Sequence, residues 1–220
     1  MATFREMQDR INLDYLNRTD LASETKRAII RAVKYYEKDR LWFNITATAL
    51  AIGTASTTVA IPADFLALDY ATVSWNGNNE IMTIRSFDRI AYQNKGSVSA
   101  MPSEICYWRD SLNFSPKPSS ATTITVHYTH SMPVLSADTD TNPWTSAGED
   151  VIVYRATYDM MANVLRVADK DALASYKSLE MEAYKMLQYG NSLRQNTGAE
   201  GAVVGSNQNQ SPKTPHTPNT

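Results

Sequence analysis

Residues 28–44, Ala-Ile-Ile-Arg-Ala-Val-Lys-Tyr-Tyr-Glu-Lys-Asp-Arg-Leu-Trp-Phe-Asn, decide how this chain is organised. Ile29, Val33 and Tyr36 recur at helical spacing with Ile30 at the margin, while Lys26, Arg27, Arg31, Lys34 and Lys38 mostly fall outside that stripe. The pattern predicts an amphipathic helix that stops on the aromatic pair Trp42-Phe43. From Ile45 the sequence alternates Thr, Ala, Ile and Val, which is the two-residue period of a strand. A helix that delivers two bulky rings to the start of a β region marks a packed junction.

Working outward, Thr3-Phe4-Arg5-Glu6 has the form of a capping box. Phe4, Met7, Ile11 and Tyr15 then carry a first helix to about Leu16. Residues 17–20 read as a connector, with Asp20 or Ser23 available to cap the second helix. On the other side, strands are expected over 46–52, 57–61 (ended by Pro62) and 65–75. Residues 76–79, Asn-Gly-Asn-Asn, signal a hairpin whose partner strand is 80–85. Ser86 is placed to cap a short helix over 87–94, closed by Gly96. Residues 104–109 and 111–115 form a hairpin about Asp110, and 122–130 alternates with Ile124, Val126 and Tyr128 on one face.

Residues 136–145 are polar, contain Pro143 and read as a loop. Ser146-Ala-Gly-Glu149 forms a second capping-box pattern before a helix with Val151, Tyr154, Tyr158, Met161 and Leu165 on one face. Asp169 breaks and recaps the chain. A last helix carries Ala172, Tyr176, Leu179, Ala183 and Met186 on one face and ends near Gly190. After Thr197 the composition turns to Gly, Asn, Gln, Ser, Thr and Pro, too polar to offset the entropy of ordering.

The class this predicts is α+β. Two N-terminal helices (1–44) and two C-terminal helices (146–195) build a four-helix bundle. An antiparallel β domain (45–145) is inserted between them, and a flexible tail (196–220) follows. Apolar content of 43% and charged content of 20% fit a globular chain. A net charge of −2 argues against a general nucleic-acid binder. The single Cys106 leaves no internal disulfide. The first residues lack a signal-peptide pattern and no apolar run is long enough to span a bilayer, so a soluble, non-membrane protein is expected.

Motif chemistry is sparse. No P-loop, GxGxxG, HExxH, GxSxG or paired CxxC is present. His127 and His130 are three apart on a strand, which points them to opposite faces and disfavours one metal ion. Asp138, Asp140, Asn142 and Glu149 copy part of a calcium loop, but Pro143 stands where the sharp turn needs Gly. A turn plus a helix cap explains these residues better. Tyr35, Tyr36, Trp42 and Phe43 beside Lys and Arg could stack bases, although helical spacing favours a core role. No catalytic residue, metal ligand or cofactor is expected. The twelve Tyr and four Trp raise the expectation of an assembly surface.

The order of elements resembles the head-to-tail adaptor proteins of tailed bacteriophages, especially the short-tailed type (tail tubular protein A and tail accessory factor). The residues carrying the resemblance span about 3–190. They are Asn17-Arg18-Thr19-Asp20-Leu21 leading into Ala28–Ala32, the Leu41–Asn44 exit, Ile61-Pro62-Ala63-Asp64-Phe65, Met101-Pro102, the stretch 112–118 and the strand 123–128. The closing helical hairpin completes it. The β segment is longer than in the most compact adaptors. The resemblance implies a non-enzymatic virion protein of the phage neck, made in the host cytoplasm. It forms a ring, usually of twelve copies, that docks on the portal protein and extends the DNA channel. The resemblance further implies a platform for the tail nozzle, with tail fibres as a second candidate partner, and a lumen through which genomic DNA passes without sequence-specific contact. Many such proteins grip the portal with a C-terminal extension; here the candidates are Val203, Val204, Pro212, Lys213 and Pro215.

Two other readings stay open at this point. A glycan- or ligand-binding β module on a helical stalk would use Trp75, Tyr107 and Trp108 for stacking. A hydrolase with dispersed carboxylates would draw on Asp64, Asp69 and Glu104.

Overall fold

A computed structural model describes residues 2–75, 77–96 and 99–197. The chain is α+β, with helices at both ends and mainly antiparallel sheets between them.

Helix α1 (Phe4–Asp9) begins on the expected capping box. Glu6 N–H donates to Thr3 Oγ1 at 3.2 Å, and the Glu6 carboxylate accepts from Thr3 N–H at 2.7 Å. The helix then widens into a π-helical turn over Arg10–Tyr15. Helix α2 (Ala22–Tyr36) buries Thr25, Ala28, Ile29, Ala32, Val33 and Tyr36. Neither expected cap holds its start, because Leu21 occupies that position. Arg18 engages both oxygens of Asp20 at 2.7 Å, holding that carboxylate down at about 2. The Ser23 hydroxyl donates to Glu24.

Helix α2 stops at Tyr36, short of the aromatic pair, which corrects the longer helix read from the sequence. The following connector is organised by buried Asn44. Its Oδ1 accepts from Leu41 N–H at 2.8 Å, and its Nδ2 donates to the carbonyls of Glu37 (3.1 Å) and Asp39 (2.6 Å). Its own carbonyl accepts from His130 N–H at 2.9 Å. Five backbone groups that would cost free energy if buried bare are thereby satisfied.

The β region has two four-stranded sheets. One has the order β1 (Ile45–Ile52), β10 (Thr122–His130), β3 (Phe65–Trp75), β4 (Asn78–Ile81), antiparallel throughout. The other has the order β2 (Thr58–Ala60), β8 (Ser111–Ser115), β7 (Glu104–Trp108), β5 (Thr83–Ile84), with β5 parallel to β7. A small parallel pair joins β6 (Ser99–Ala100) to β9 (Lys117–Pro118). The single strand expected over 80–85 is therefore split. Met82 N–H bonds Ala71, while Thr83 turns to the second sheet. The β7–β8 turn is Arg109-Asp110, both left-handed (φ 48° and 57°), which suits the twist of a two-residue hairpin. Between β5 and β6 lies helix α3 (Phe87–Gln93). Ser86 sits at its cap position without a side-chain bond. Ile52, Val73, Met82, Ile105, Leu112, Phe114, Ile124, Val126 and Tyr128 form the apolar cluster of this region.

The segment after β10 returns to the helices. Met132, Leu135 and Trp144 join the helical core with Phe4, Met7, Ile11, Ile29, Ile152 and Met160. The expected loop contains a helical turn, α4 (Pro143–Ser146). Asn142 caps it and Pro143 takes its first position, where a missing N–H costs nothing. The capping box is Asn142–Thr145, four residues earlier than the Ser146–Glu149 box read from the sequence. Helix α5 (Glu149–Asp159) starts at Gly148 with no side-chain cap. Gly148 is demanded by close approach, since a Cβ there would stand 2.5 Å from Cε3 of the fully buried Trp144.

Helix α5 packs against both α2 and α6 (Lys170–Thr197) and continues as a π-helical turn, Met160–Val164. Its buried residues are Val151, Ile152, Val153, Ala156 and Thr157, with Met160 just beyond; Tyr154 and Tyr158 are only half-buried. The single expected stripe is thus replaced by burial on several sides. Asp169 recaps the chain as expected, accepting from the N–H groups of Asp171 and Ala172 at 3.0 Å.

Candidate interaction surface

Helix α6 places its large apolar side chains in an unusual way. It runs seven residues past the expected end at Gly190. Leu187 and the carboxylate Glu180 are its fully buried positions, whereas Met186 is 67% exposed, Tyr189 61% and Leu193 47%. Leu179 and Met186, expected to face the core, face outward instead. The true inner row is Tyr176, Glu180, Ala183, Tyr184 and Leu187. The outer row Leu179, Met186 and Leu193 repeats every seven residues, so it keeps to one side of the helix. Large apolar groups aligned on an exposed face mark a surface meant to be covered.

Beneath that row, α6 and the start of α5 enclose an open groove of about 560 Å³. Trp42, Val151, Tyr154, Leu179, Ala183 and Met186 line it. The charged residues at its edge are Asp150 and Glu182. Asp150 is paired at 2.7 Å with Arg10, which also bonds Glu149 at 2.9 Å.

Trp42 and Phe43 connect this groove to the helical core. Trp42 meets Phe43 edge-on at 5.0 Å, and Phe43 meets Trp144 edge-on at 4.9 Å. Tyr36 and then Tyr184 continue the series. Trp42 is half-buried, with the Arg194 guanidinium 4.4 Å over its ring. At the far end, the buried Glu180 accepts from the Tyr36 hydroxyl and binds Lys177 at 2.8 Å and Arg155 at 3.4 Å. Burial, reinforced by that carboxylate, pushes the Tyr36 phenol far above its ordinary range. Burial and a 2.6 Å bond to Asp39 push Tyr184 up to about 12. These hydroxyls are donors locked in structural bonds.

The other singled-out residues are occupied separately. His127 stacks on Tyr70 at 4.0 Å, while His130 lies 3.6 Å from Asp64. Asp138 is taken by Lys26 at 2.7 Å and approached by Arg5; Asp140 accepts from the N–H groups of Ser136 and Ala137. Among the described residues, no group of three His, Cys, Asp or Glu is placed to hold a metal ion. Asp64 accepts from Tyr128, Asp69 from Arg40, and Glu104 from Arg89, so these carboxylates serve three different contacts. Arg89 holds Glu104 below the usual glutamate range. Trp108 is half-exposed, but Phe87 stacks on it at 5.1 Å; Tyr107 donates to Asp110. Tyr35 is exposed and carries Arg155 4.2 Å over its ring, whereas Tyr36 is core. Val203, Val204, Pro212, Lys213 and Pro215 lie outside the described residues. No described helix is long and apolar enough to cross a membrane.

The sequence reading did not single out the bonding of Asn44 or Glu180, and it placed Trp144, outside the clear helical stripes, among interface rings, whereas Trp144 is fully buried in the helical core. Trp144 had a usable signal, because an Asn-Pro pair in a polar stretch is a helix start as well as a turn. Glu180 had none, since a glutamate at an inner helical position is legible only once its partners are placed.

No curated protein matches the chain. A family model described as SU10 adaptor protein matches residues 2–206, from before the first helix to beyond the last. The chain belongs to the SU10 adaptor protein family.

Proposed function

We propose that this protein is a structural adaptor of a phage neck, of the short-tailed type. It forms a ring that docks on the portal, extends the DNA channel and gives the tail its attachment platform. Membership of an adaptor family supports the coarse reading, and the exposed apolar row of α6 over its groove is the observation that carries the rest. Met186 and Tyr189, exposed on one helix, are the groups a partner subunit would cover. The helical layer is taken as a four-helix bundle of the two terminal pairs. The segment 198–220, with Val203 and Val204 as apolar handles, is taken as the portal grip.

Negative-stain microscopy and mass photometry of the purified chain with its portal test this. Rings seated on the portal are expected. A chain that stays monomeric at all ratios and never binds a portal overturns the reading. Deleting 198–220 should leave melting unchanged and weaken portal binding.

A further inference from the structure

We propose that the groove between α5 and α6 receives the α2 face of a second copy, so the helical layer carries both halves of the subunit contact. The proposal rests on the adaptor reading above and names the faces that reading leaves open.

The two patches lie on different sides of the same layer. Asp150 and Tyr154 of α5 line the groove, while Arg155 and Asp159 line a second cleft, of about 620 Å³, against α2. Five residues from 150 to 155 turn a helix by roughly 140°, so one helix wall serves both patches without merging them. On α6, likewise, Glu182 and Met186 line the groove, whereas Lys177 and Met181 line a third cleft shared with Tyr35 and Lys38. Two distinct patches on one chain that fit each other make a head-to-tail contact, the kind that propagates into a ring when its rotation closes.

Their chemistry is complementary. The groove is apolar, and its charged lining residues are acidic: Asp150 is paired with Arg10, and Arg194 lies over the lining Trp42, which leaves Glu182 as the carboxylate open to a partner. The α2 cleft is lined by Arg31, Lys34, Lys38 and Arg155 against a single carboxylate, Asp159, which Arg31 engages. Between these cations stands Tyr35, 57% exposed, packed edge-on to Tyr36 and under Arg155. A protruding ring ringed by cations fits an apolar groove with an acidic edge. Tyrosine is the type of anchor such interfaces favour, and opposite charge at the rim sets register and partner choice.

The test uses the full chain in two charge-reversed forms, Lys34→Glu/Lys38→Glu and Glu182→Lys, assayed by sedimentation velocity with portal present. Each form alone should melt like wild type and raise the concentration needed for assembly by more than about tenfold, because like charges then meet at the rim. Mixed together, the two forms should assemble again as an alternating ring. Every contact in the mixture again joins opposite charges, a rescue that misfolded subunits could not give. Wild-type rings with unaffected variants, or no rescue on mixing, overturn this pairing while leaving the adaptor reading intact. Absence of any wild-type assembly overturns the adaptor reading itself. A Lys34→Glu/Lys38→Glu form that assembles normally but no longer retains duplex DNA would assign the α2 face to nucleic acid and sink the pairing.

Discussion

Helices α5 and α6 are neighbours in sequence and in space, yet they use their apolar residues in opposite ways. Helix α5 turns Val151, Ile152, Val153, Ala156 and Thr157 inward and meets α2 on one side and α6 on the other. Helix α6 is far longer, buries a glutamate, and leaves Met186 and Tyr189 largely in solvent, with Met181 about half exposed. The difference teaches that α5 is the element the helical core is built around. α6 closes that core with part of one face and leaves the remainder exposed.

The sharpest way to break this comparison is through the core around α5. Trp144 is fully buried between Tyr36 and Phe43, so Trp144→Ala should destabilise by about 3–5 kcal/mol in chemical denaturation. Its buried Nε1 has no partner among the described residues, so Trp144→Phe should cost clearly less. Equal losses would mean the indole N–H is bonded after all.

A second break lies where α5 begins. Gly148→Ala forces a methyl into the Trp144 ring and should cost about 1–3 kcal/mol by overpacking. A melting temperature unchanged within error would show that the ring can move aside.

Glu180 tests the α6 side of the core. Glu180→Ala leaves the buried Tyr36 hydroxyl without its acceptor, at about 1–3 kcal/mol. The same change at the exposed neighbour Glu182 should be nearly silent in a monomer melt.

The β region supplies a smaller, pH-dependent effect. Arg89 keeps the folded pKa of Glu104 below its ordinary 4.5. That contribution is complete above about pH 4.5 and is lost as pH falls through the lower folded value. Glu104→Gln should therefore flatten the acid limb of the stability curve. Parallel acid limbs for the two proteins would remove Arg89 as the cause.

The smallest effect is expected where the comparison predicts none. Met186→Ser on the open face of α6 should change stability by no more than about 0.5 kcal/mol. Its effect should appear in assembly alone.

Much of this architecture was legible in the residues. The strands 65–75 and 122–130, the Asp110 hairpin, the Thr3–Glu6 cap and the recapping at Asp169 all follow from local patterns. The misses have different causes. Ser23 and Ser146 each looked able to cap a helix, but a cap depends on where the backbone enters the first turn; Ser86 holds the cap position of α3 without a side-chain bond. The strand over 80–85 was split because Met82 must reach the core between two sheets. The faces of α5 and α6 were misjudged because periodicity gives a helix one apolar stripe, while α5 has neighbours on two sides.

The candidate surface divided in the same manner. Trp42 and Phe43 stand out in the sequence as bulky rings at a change of period, and that change alone placed helices at the ends and strands between. Whether such rings face a core or a groove depends on what packs beside them, and only the tertiary structure supplied that. The chain alone determined its order of helices, strands and caps, since those arise from residues a few positions apart. Burial of Glu180 against Tyr36, and the separation of the α5–α6 groove from the α2 cleft, depend on residues more than a hundred positions apart. Their energies come from contacts that no local pattern encodes.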